Sequence, residues 1–437
     1  MTGRPPAVMS GQRVVDLAGV GLDRGGHLLL KRALAAAAVG ERVAVRGGDP
    51  HLAVHLAAWC RAQGHEWAPE RGVVVVGGDG GEGGDEALVG HVTRRIDLGG
   101  RWRGAERAGL AQAAPSIVGA GDGGGGDGGG GDGVVDRPPA RWGLAARGAM
   151  VEAGGPAFHF PLGDKRMVWA DEAARLYEQA VAAQWDPAVA IPWTAPCDVP
   201  DEIEDAVVQV MTYLVENETA ALIVPSRFIA QLHPHFREVM QLLAVQAADE
   251  ARHIEVFTRR ALLRRDQLGL STVGGQLSLK TLVDEPDFAL ASFLLSVLGE
   301  GSFLSLLWFL HRHAPDPATA EVARLAAQDE ARHVAFGLAH LGRHAGEEPG
   351  LRARLAAAVE RRHDALRHSA GLNEEVFDAL VLLAAGSWQP EAIARGHAAV
   401  VALAVDMDEG RQRRLRRLGF TDGEAEALSS LHTRNFM

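Results

Sequence analysis

The chain has 437 residues, 47% of them hydrophobic, with 44 basic and 56 acidic side chains for a formal charge of −12. That length predicts two or three soluble domains, and the acidic balance argues against broad attraction to nucleic acid or an anionic membrane surface. Two cysteines, Cys60 and Cys197, exclude a disulfide-rich scaffold, a four-cysteine zinc or rubredoxin site and an all-cysteine iron–sulfur cluster; they fit a reducing, cytoplasmic setting. Lysine occurs only at Lys31, Lys165 and Lys280, so arginine supplies the other 41 of the 44 basic side chains. With the excess of alanine and the 53 glycines, this pattern indicates GC-rich codon bias. Part of the glycine count therefore carries no structural message.

Met1–Gln12 has no apolar core of signal-peptide length. Arg13–Leu17 reads as a strand, His27–Ala38 as a helix, Arg42–Val45 as a strand and Pro50–Gln63 as a second helix. Val73–Val76 and Val92–Leu98 read as further strands, with a glycine loop at Gly77–Gly84. This order predicts a small βαβαββ sandwich over residues 1–100. Gly121–Gly133, GDGGGGDGGGGDG, cannot bury a core and marks 101–140 as a flexible linker. A calcium-binding glycine repeat would need an apolar residue in each unit, and none is present.

From 141 to 437 the apolar spacing is helical. Ala170–Gln184, Pro200–Leu232, Phe236–Leu268, Phe288–His313, Pro317–Ala345, Leu351–Ala370 and Glu374–Ser387 are the predicted helices, with shorter ones to the C-terminus. The fold class is thus multidomain: a small α/β sandwich, then an all-α bundle with extra C-terminal helices. Phe288–Leu310 has the composition of a membrane span except for Glu300. A carboxylate at mid-bilayer costs about 2.5–3.5 kcal/mol even on the lenient scale, so a buried bundle helix whose acid has a partner is the preferred reading.

Asp249–His253 and Asp329–His333 both read DEARH. In each pentad, Glu and His three residues apart share a helix face, so Glu250 with His253, and Glu330 with His333, can bind one metal. A single such pair is weak evidence. Glu360–His363 is one, and beside Arg361, Arg362 and His368 it reads as a solvated face. Helical rise supplies a second test. Glu218 lies about 15 residues before the turn at His233-Pro234-His235, and Glu250 about 16 after it. Glu300 lies about 16 residues before Asp316 in the turn Pro315-Asp316-Pro317, and Glu330 about 14 after it. Each hairpin brings its two glutamates to matching height, so Glu330 is the partner of Glu300.

Four carboxylates balance two divalent cations, and a near-neutral cluster is cheaper to bury than isolated charges. This oxygen and nitrogen donor set suits iron or manganese. Asp249 and Asp329 are assigned as acceptors that orient the histidine of the opposite hairpin. Glu216 competes with Glu218 by height, but Glu218 shares a stripe with Met211, Val215, Leu222 and Ile229. Pro225 is expected to kink that helix. His233, His235, His311 and His313 lie too far along their helices to be ligands. Gly269–Pro286 is the long crossover between the hairpins.

Residues from about 140 onward resemble the ferritin-like di-iron carboxylate proteins, in particular the bacterial oxygenase/oxidase branch. The carrying motifs are Glu218 in ENETAAL, Glu300 in LGEGSF and the two pentads. The resemblance implies a centre of two iron ions, or iron with manganese, that activates O2. Phe257 stands where the ribonucleotide reductase small subunit has its radical tyrosine. Ala326 stands where arylamine N-oxygenases have an extra histidine. The four rubredoxin cysteines of rubrerythrins are absent, and ferritins are much shorter. Residues 13–98 resemble the TusA/SirA-like sulfur carriers, through DLAGVGLDRGGHLLLK and GERVAVRGGDPHLAVHLAAWCRAQGHEW. There Leu22-Asp23 replaces the persulfide-bearing Cys-Pro, and leucine is no sulfur nucleophile. Cys60 reads as a buried helix cysteine.

The function these features imply is an O2-dependent oxygenase or oxidase acting on a small organic or carrier-bound substrate, with Phe257, Phe303 and Trp308 as pocket or core neighbours. No flavin or iron–sulfur signature is evident, so electrons come from an external reductase or ferredoxin. No nucleic-acid or membrane partner is expected, and a homodimer is left open. Two rival readings are a non-catalytic iron-binding or ferroxidase protein, and an interaction module whose N-terminal domain recruits a sulfur-relay or carrier partner.

Overall fold

The computed structural model describes residues 13–70, 88–94, 134–149, 151, 155–366 and 374–432. Met1–Gln12, Val73–Val76, the glycine runs Gly77–Gly84 and Gly121–Gly133, and the end of the strand expected at Val92–Leu98 lie outside the described residues. Chain contacts define two compact units, Met1–Ile117 with Ala145–Ala157, and Val118–Leu144 with Phe158–Met437.

The first unit runs β1 (Val14–Asp16), α1 (Gly26–Ala35), β2 (Arg42–Arg46), α2 (Leu52–Gln63), β3 (Glu66–Pro69) and β4 (Leu88–Thr93). The strand order is β1-β2-β4-β3. β1 and β2 are parallel, which the α1 crossover permits, whereas β4 pairs antiparallel with both β2 and β3. Leu30 and Leu34 of α1, and Leu52, Leu56 and Cys60 of α2, recur every four residues. Each helix therefore turns one stripe into a core shared with Val43, Val45 and Val92. β3 falls at Glu66–Pro69 in HEWAPE, a segment whose lack of alternating apolar residues gives no strand signal. Burial pushes the Cys60 thiol up to about 12, so it stays protonated at neutral pH and unreactive. Leu22 is buried and Asp23 is exposed.

The second unit is helical. Its main elements are α3 (Ala173–Ala182), α4 (Asp201–Ile229), α5 (Arg237–Ala261), α6 (Val273–Val283), α7 (Phe288–His313), α8 (Pro317–Glu347), α9 (Leu351–Leu366), α10 (Glu374–Ala385), α11 (Pro390–Arg417) and α12 (Asp422–Leu431). α4 runs unbroken through Pro225. α5 stops at Ala261, short of the expected Leu268. The crossover expected at Gly269–Pro286 contains α6. The C-terminal helices are not all short, since α11 spans 28 residues.

α4 and α7 are each long and apolar enough to cross a membrane, but 83% of the most apolar window of α7 is buried within the protein. Its middle, Phe293–Glu300, is a π-helical stretch in which every residue is buried. A wholly buried apolar run has no polar face, so hydrophobic period cannot show where the register widens.

One buried ion network joins three helix ends. Arg260, at the end of α5, reaches Glu204 of α4 at 2.8 Å and Asp316, the N-cap of α8, at 2.6 Å. Its Nε also donates to Thr319 Oγ1 at 2.7 Å. Burial works against the Arg260 charge, but Glu204 and Asp316 overcome it and raise its pKa above the ordinary arginine value. Replacing Arg260 with methionine leaves the buried Asp316 without its counter-charge and Glu204 with only Arg264, 3.9 Å away, so Arg260→Met is expected to lose about 3–5 kcal/mol of stability. Urea denaturation of the full chain measures this, and a loss below about 1 kcal/mol would contradict a structural role for the network.

Candidate metal centre

The two pentads lie on facing helices, Glu250 and His253 on α5, Glu330 and His333 on α8. The helix paired with each supplies one more glutamate, Glu218 from α4 and Glu300 from the π-helical part of α7. All six side chains are at most 3% exposed. They form two overlapping groups, Glu218, Glu250, His253 and Glu330, and Glu250, Glu300, Glu330 and His333. Within each group the potential ligand atoms lie within 4.8 Å of one another. Glu250 and Glu330 belong to both, so two cations held here would share these two carboxylates. Glu216 is only partly buried, so Glu218 is the acid of α4 that faces inward.

Both imidazoles present the same edge to the glutamates. His253 Nδ1 lies 3.2 Å from Glu250 and 3.4 Å from Glu218. His333 Nδ1 lies 3.1 Å from Glu250 and 3.3 Å from Glu330. The opposite nitrogens meet the aspartates of the other hairpin: His253 Nε2 is 3.2 Å from Asp329 Oδ2, and His333 Nε2 is 3.3 Å from Asp249 Oδ2. An Nε2–H that donates to the aspartate fixes the tautomer and leaves the Nδ1 lone pair free for a metal.

Electrostatics separate the glutamates. Burial, then Glu330 and Glu250, hold Glu218 well above the usual carboxylate range. Burial and the same two neighbours raise Glu300. Burial also pushes Glu250 upward, but the imidazoles of His333 and His253 outweigh it and hold its carboxyl below that range. Both histidines are raised well above their ordinary value: burial opposes this, and the surrounding carboxylates prevail.

A fit test comes from the oxygens left over. Glu218 Oε1, Glu250 Oε1, Glu300 Oε2 and Glu330 Oε1 are each buried without a hydrogen bond. Buried polar atoms rarely stay unsatisfied. Four such oxygens converging on two imidazoles are accounted for by two divalent cations, which they would also neutralise. The residues present therefore fit a dinuclear centre of iron, or of iron with manganese.

Around this cluster lies a ring of residues that the sequence reading missed. Gln246 Nε2 donates to Glu300 Oε1 at 3.0 Å. Arg252 Nη2 spans both aspartates, at 2.5 Å from Asp249 and 2.9 Å from Asp329, and Arg332 also pairs with Asp329. Gln184 Nε2 donates to Asp249 at 2.8 Å, and Trp185 Nε1 to Asp329 at 2.8 Å. Both arginines belong to the pentads, three residues after each aspartate, so helical spacing could have found them. The same holds for Gln246, one turn before Glu250. Gln184 and Trp185, from the loop after α3, carry no local signal.

The aromatic assignments divide. Phe257 is buried beside His253, with ring centroids 6.2 Å apart, and Phe303 lines a cavity beside Glu218 and Glu300. Trp308, expected near the pocket, is 39% exposed because it falls on the outward side of α7. His235 accepts from Val135 N, and His311 Nδ1 meets the Ala320 carbonyl, so neither turns to the cluster. Glu360 is exposed, but Arg362, expected on the same solvated face, is buried.

Comparison with protein families finds no match, and no curated protein is similar. Among solved structures, a variant R2-like ligand-binding oxidase with an aerobically reconstituted Mn/Fe cofactor is 18% identical, over 57% of this chain and 94% of that one, with a TM-score of 0.43. Another variant with an Fe/Fe cofactor gives the same four values. The R2-like ligand-binding oxidase from Sulfolobus acidocaldarius is 17% identical, over 58% and 93%, with a TM-score of 0.38.

Loss of one aspartate should loosen its histidine. Asp329→Asn is expected to weaken metal binding about 10–100-fold while leaving the helical circular dichroism intact. Competition with a chelator reads this directly, and an unchanged affinity would show that Asp329 does not orient His253.

Proposed function

We propose that the helical unit is a ferritin-like dinuclear oxidoreductase that uses O2 to oxidise an organic substrate. The observation that carries this reading is the set of four buried glutamate oxygens without hydrogen bonds, facing two imidazoles whose other nitrogens are held by aspartates. Glu218 and His253 would hold one iron, Glu300 and His333 the second iron or a manganese, with Glu250 and Glu330 shared. When bound, such a pair supplies the electrons and Lewis acidity that O2 reduction needs.

The chain's own residues set the conditions. Asp249 and Asp329 keep a proton on each Nε2, so each imidazole faces the glutamates in one tautomer. Arg252 and Arg332 neutralise these aspartates and keep their charge from adding to that of the cluster. Phe257, Phe303 and the leucines of α7 exclude water from the inner side. In an oxygenase reaction one oxygen atom enters a C–H or N–H bond of the substrate and the other leaves as water. The balance takes two electrons and two protons, and the electrons come from an external donor.

Anaerobic loading of the full chain with ferrous iron, followed by O2 in the presence of a chemical reductant, tests this. We expect two irons per chain, and an O2 uptake at least about tenfold faster than in Glu250→Ala/Glu330→Ala, which should bind neither iron. Two irons retained in that double variant would refute the ligand assignment. Growth of an iron mineral in place of catalytic O2 turnover would point to iron storage and overturn the oxidoreductase reading.

A further inference from the structure

In the first unit β1 and β2 lie side by side and parallel, so the loops that follow them leave the same edge of the sheet, at the carboxyl ends of the strands. That edge is where open α/β sheets hold their ligands. The Gly48 N–H donates to the Ala18 carbonyl at 2.8 Å and ties one loop to the other. The first loop carries Asp23, in the single turn Leu22–Arg24, and the second carries Asp49. His55 comes from the first turn of α2. Each of the three offers one ligand atom, a carboxylate oxygen or an imidazole nitrogen, and these atoms all lie within 4.8 Å of one another.

Nothing else at this place accounts for the convergence. Asp49 is 7% exposed. Its Oδ1 accepts from the His51 N–H at 2.9 Å, whereas Oδ2 accepts no hydrogen bond among the described residues. Among those residues neither aspartate has an arginine or lysine within 4 Å, and no ion pair joins either one to His55. His55 Nδ1 is buried without a hydrogen bond. Both carboxylates crowd one point: a Cβ on Gly21 would clash with Asp49 Oδ2 and with Asp23 Oδ1. Gly21 has an ordinary φ of −64°, so it is the close approach of the two aspartates that calls for glycine there. Like charges drawn together without a counter-charge, one of them buried, and an orphaned imidazole nitrogen beside them are each costly. A cation between the three removes both costs.

We propose that Asp23, Asp49 and His55 form a mononuclear zinc site, with the fourth position of the ion open to solvent beside Asp23. Zinc takes carboxylate oxygens at about 2.0–2.2 Å and imidazole nitrogens at about 2.0–2.1 Å. The exposed Asp23 closes the remaining distance by rotating its side chain. An imidazole ligand disfavours calcium and magnesium, which prefer all-oxygen shells, and the lack of a sulfur ligand disfavours copper(I). Ferrous iron lies below zinc in affinity for such donors. Three protein ligands and one open position are the layout at which a further ligand can reach the metal. The site shares no residue with the glutamate–histidine cluster and does not depend on its reading. Zinc has no redox chemistry, so it adds none to that proposed for the helical unit.

Calorimetric titration with zinc tests this in the full chain carrying Glu250→Ala and Glu330→Ala, which removes the shared ligands of the other cluster. We expect one zinc per chain with a Kd below about 10 µM, and magnesium to bind at least about tenfold more weakly. Asp49→Asn and His55→Ala, added singly, should each weaken zinc at least about tenfold. Gly21→Ala should do the same without touching a ligand, because its methyl group occupies the point on which both carboxylates converge. Absence of such a zinc, or an affinity unchanged in Asp49→Asn, overturns the proposal. If the chain with both glutamates replaced does not fold, zinc-soaked crystals of the wild type decide by anomalous scattering at the zinc edge. A peak between Asp23, Asp49 and His55 supports the site, whereas zinc found only elsewhere rejects it.

Discussion

Negative charge buried among α4, α5, α7 and α8 is the constraint that the helical unit is built around. Glu218, Glu250, Glu300 and Glu330 are at most 2% exposed, and isolated carboxylates in such a place are strongly disfavoured. Part of the charge is met by His253 and His333, whose imidazoles hold Glu250 low against burial. The remainder falls on Glu218 and Glu300, which burial and like-charged neighbours push toward the neutral form. Two divalent cations would relieve that imbalance, and Glu218 Oε1, Glu250 Oε1, Glu300 Oε2 and Glu330 Oε1, each buried without a hydrogen bond, could serve as their ligands. The aspartates behind the histidines bring two more charges, and Arg252 and Arg332 answer those at the outer side of the cluster.

The rest of the architecture keeps these groups level. Glutamates from two antiparallel hairpins meet only if each turn falls at the right height, and the ends of three helices are tied by Arg260 to Glu204 and Asp316. Gly337 of α8 contributes by its lack of a side chain. A Cβ there would lie 2.7 Å from Ser296 Cβ in the π-helical stretch, so α8 can approach the segment that carries Glu300. Such a stretch widens the turn and shifts the facing of the residues after it, a device frequent at functional sites.

Much of the centre was legible because its chemistry repeats. The duplicated pentad and the equal spacing of Glu218 and Glu300 from their turns identified the six side chains that the fold brings together. The same spacing placed Asp249 and Asp329 opposite the histidines. The π-helical stretch was not legible, because eight buried residues in a row offer no contrast of polarity. Arg362 was misplaced for the opposite reason. Its neighbours Glu360 and Arg361 are exposed, and a charged run on a helix ordinarily marks a solvated face; only the packing of α9 against α6 and α7 shows that one member turns inward. β3 was missed in a segment too short and irregular to announce a strand, and α11 was underestimated because its apolar stripe is thin between charged residues.

The first unit has a core of its own, and its only cysteine within the described residues, Cys60, is buried and protonated. The oxygen and nitrogen donors of the helical unit therefore carry the redox chemistry proposed for this chain. Mössbauer spectroscopy of the full chain, reconstituted with ⁵⁷Fe(II) and exposed to O2, tests that claim most directly. The account predicts two high-spin ferric ions per chain, antiferromagnetically coupled to a diamagnetic ground state through the shared glutamates. A single magnetically isolated ferric site, or iron bound only at the surface, would contradict it.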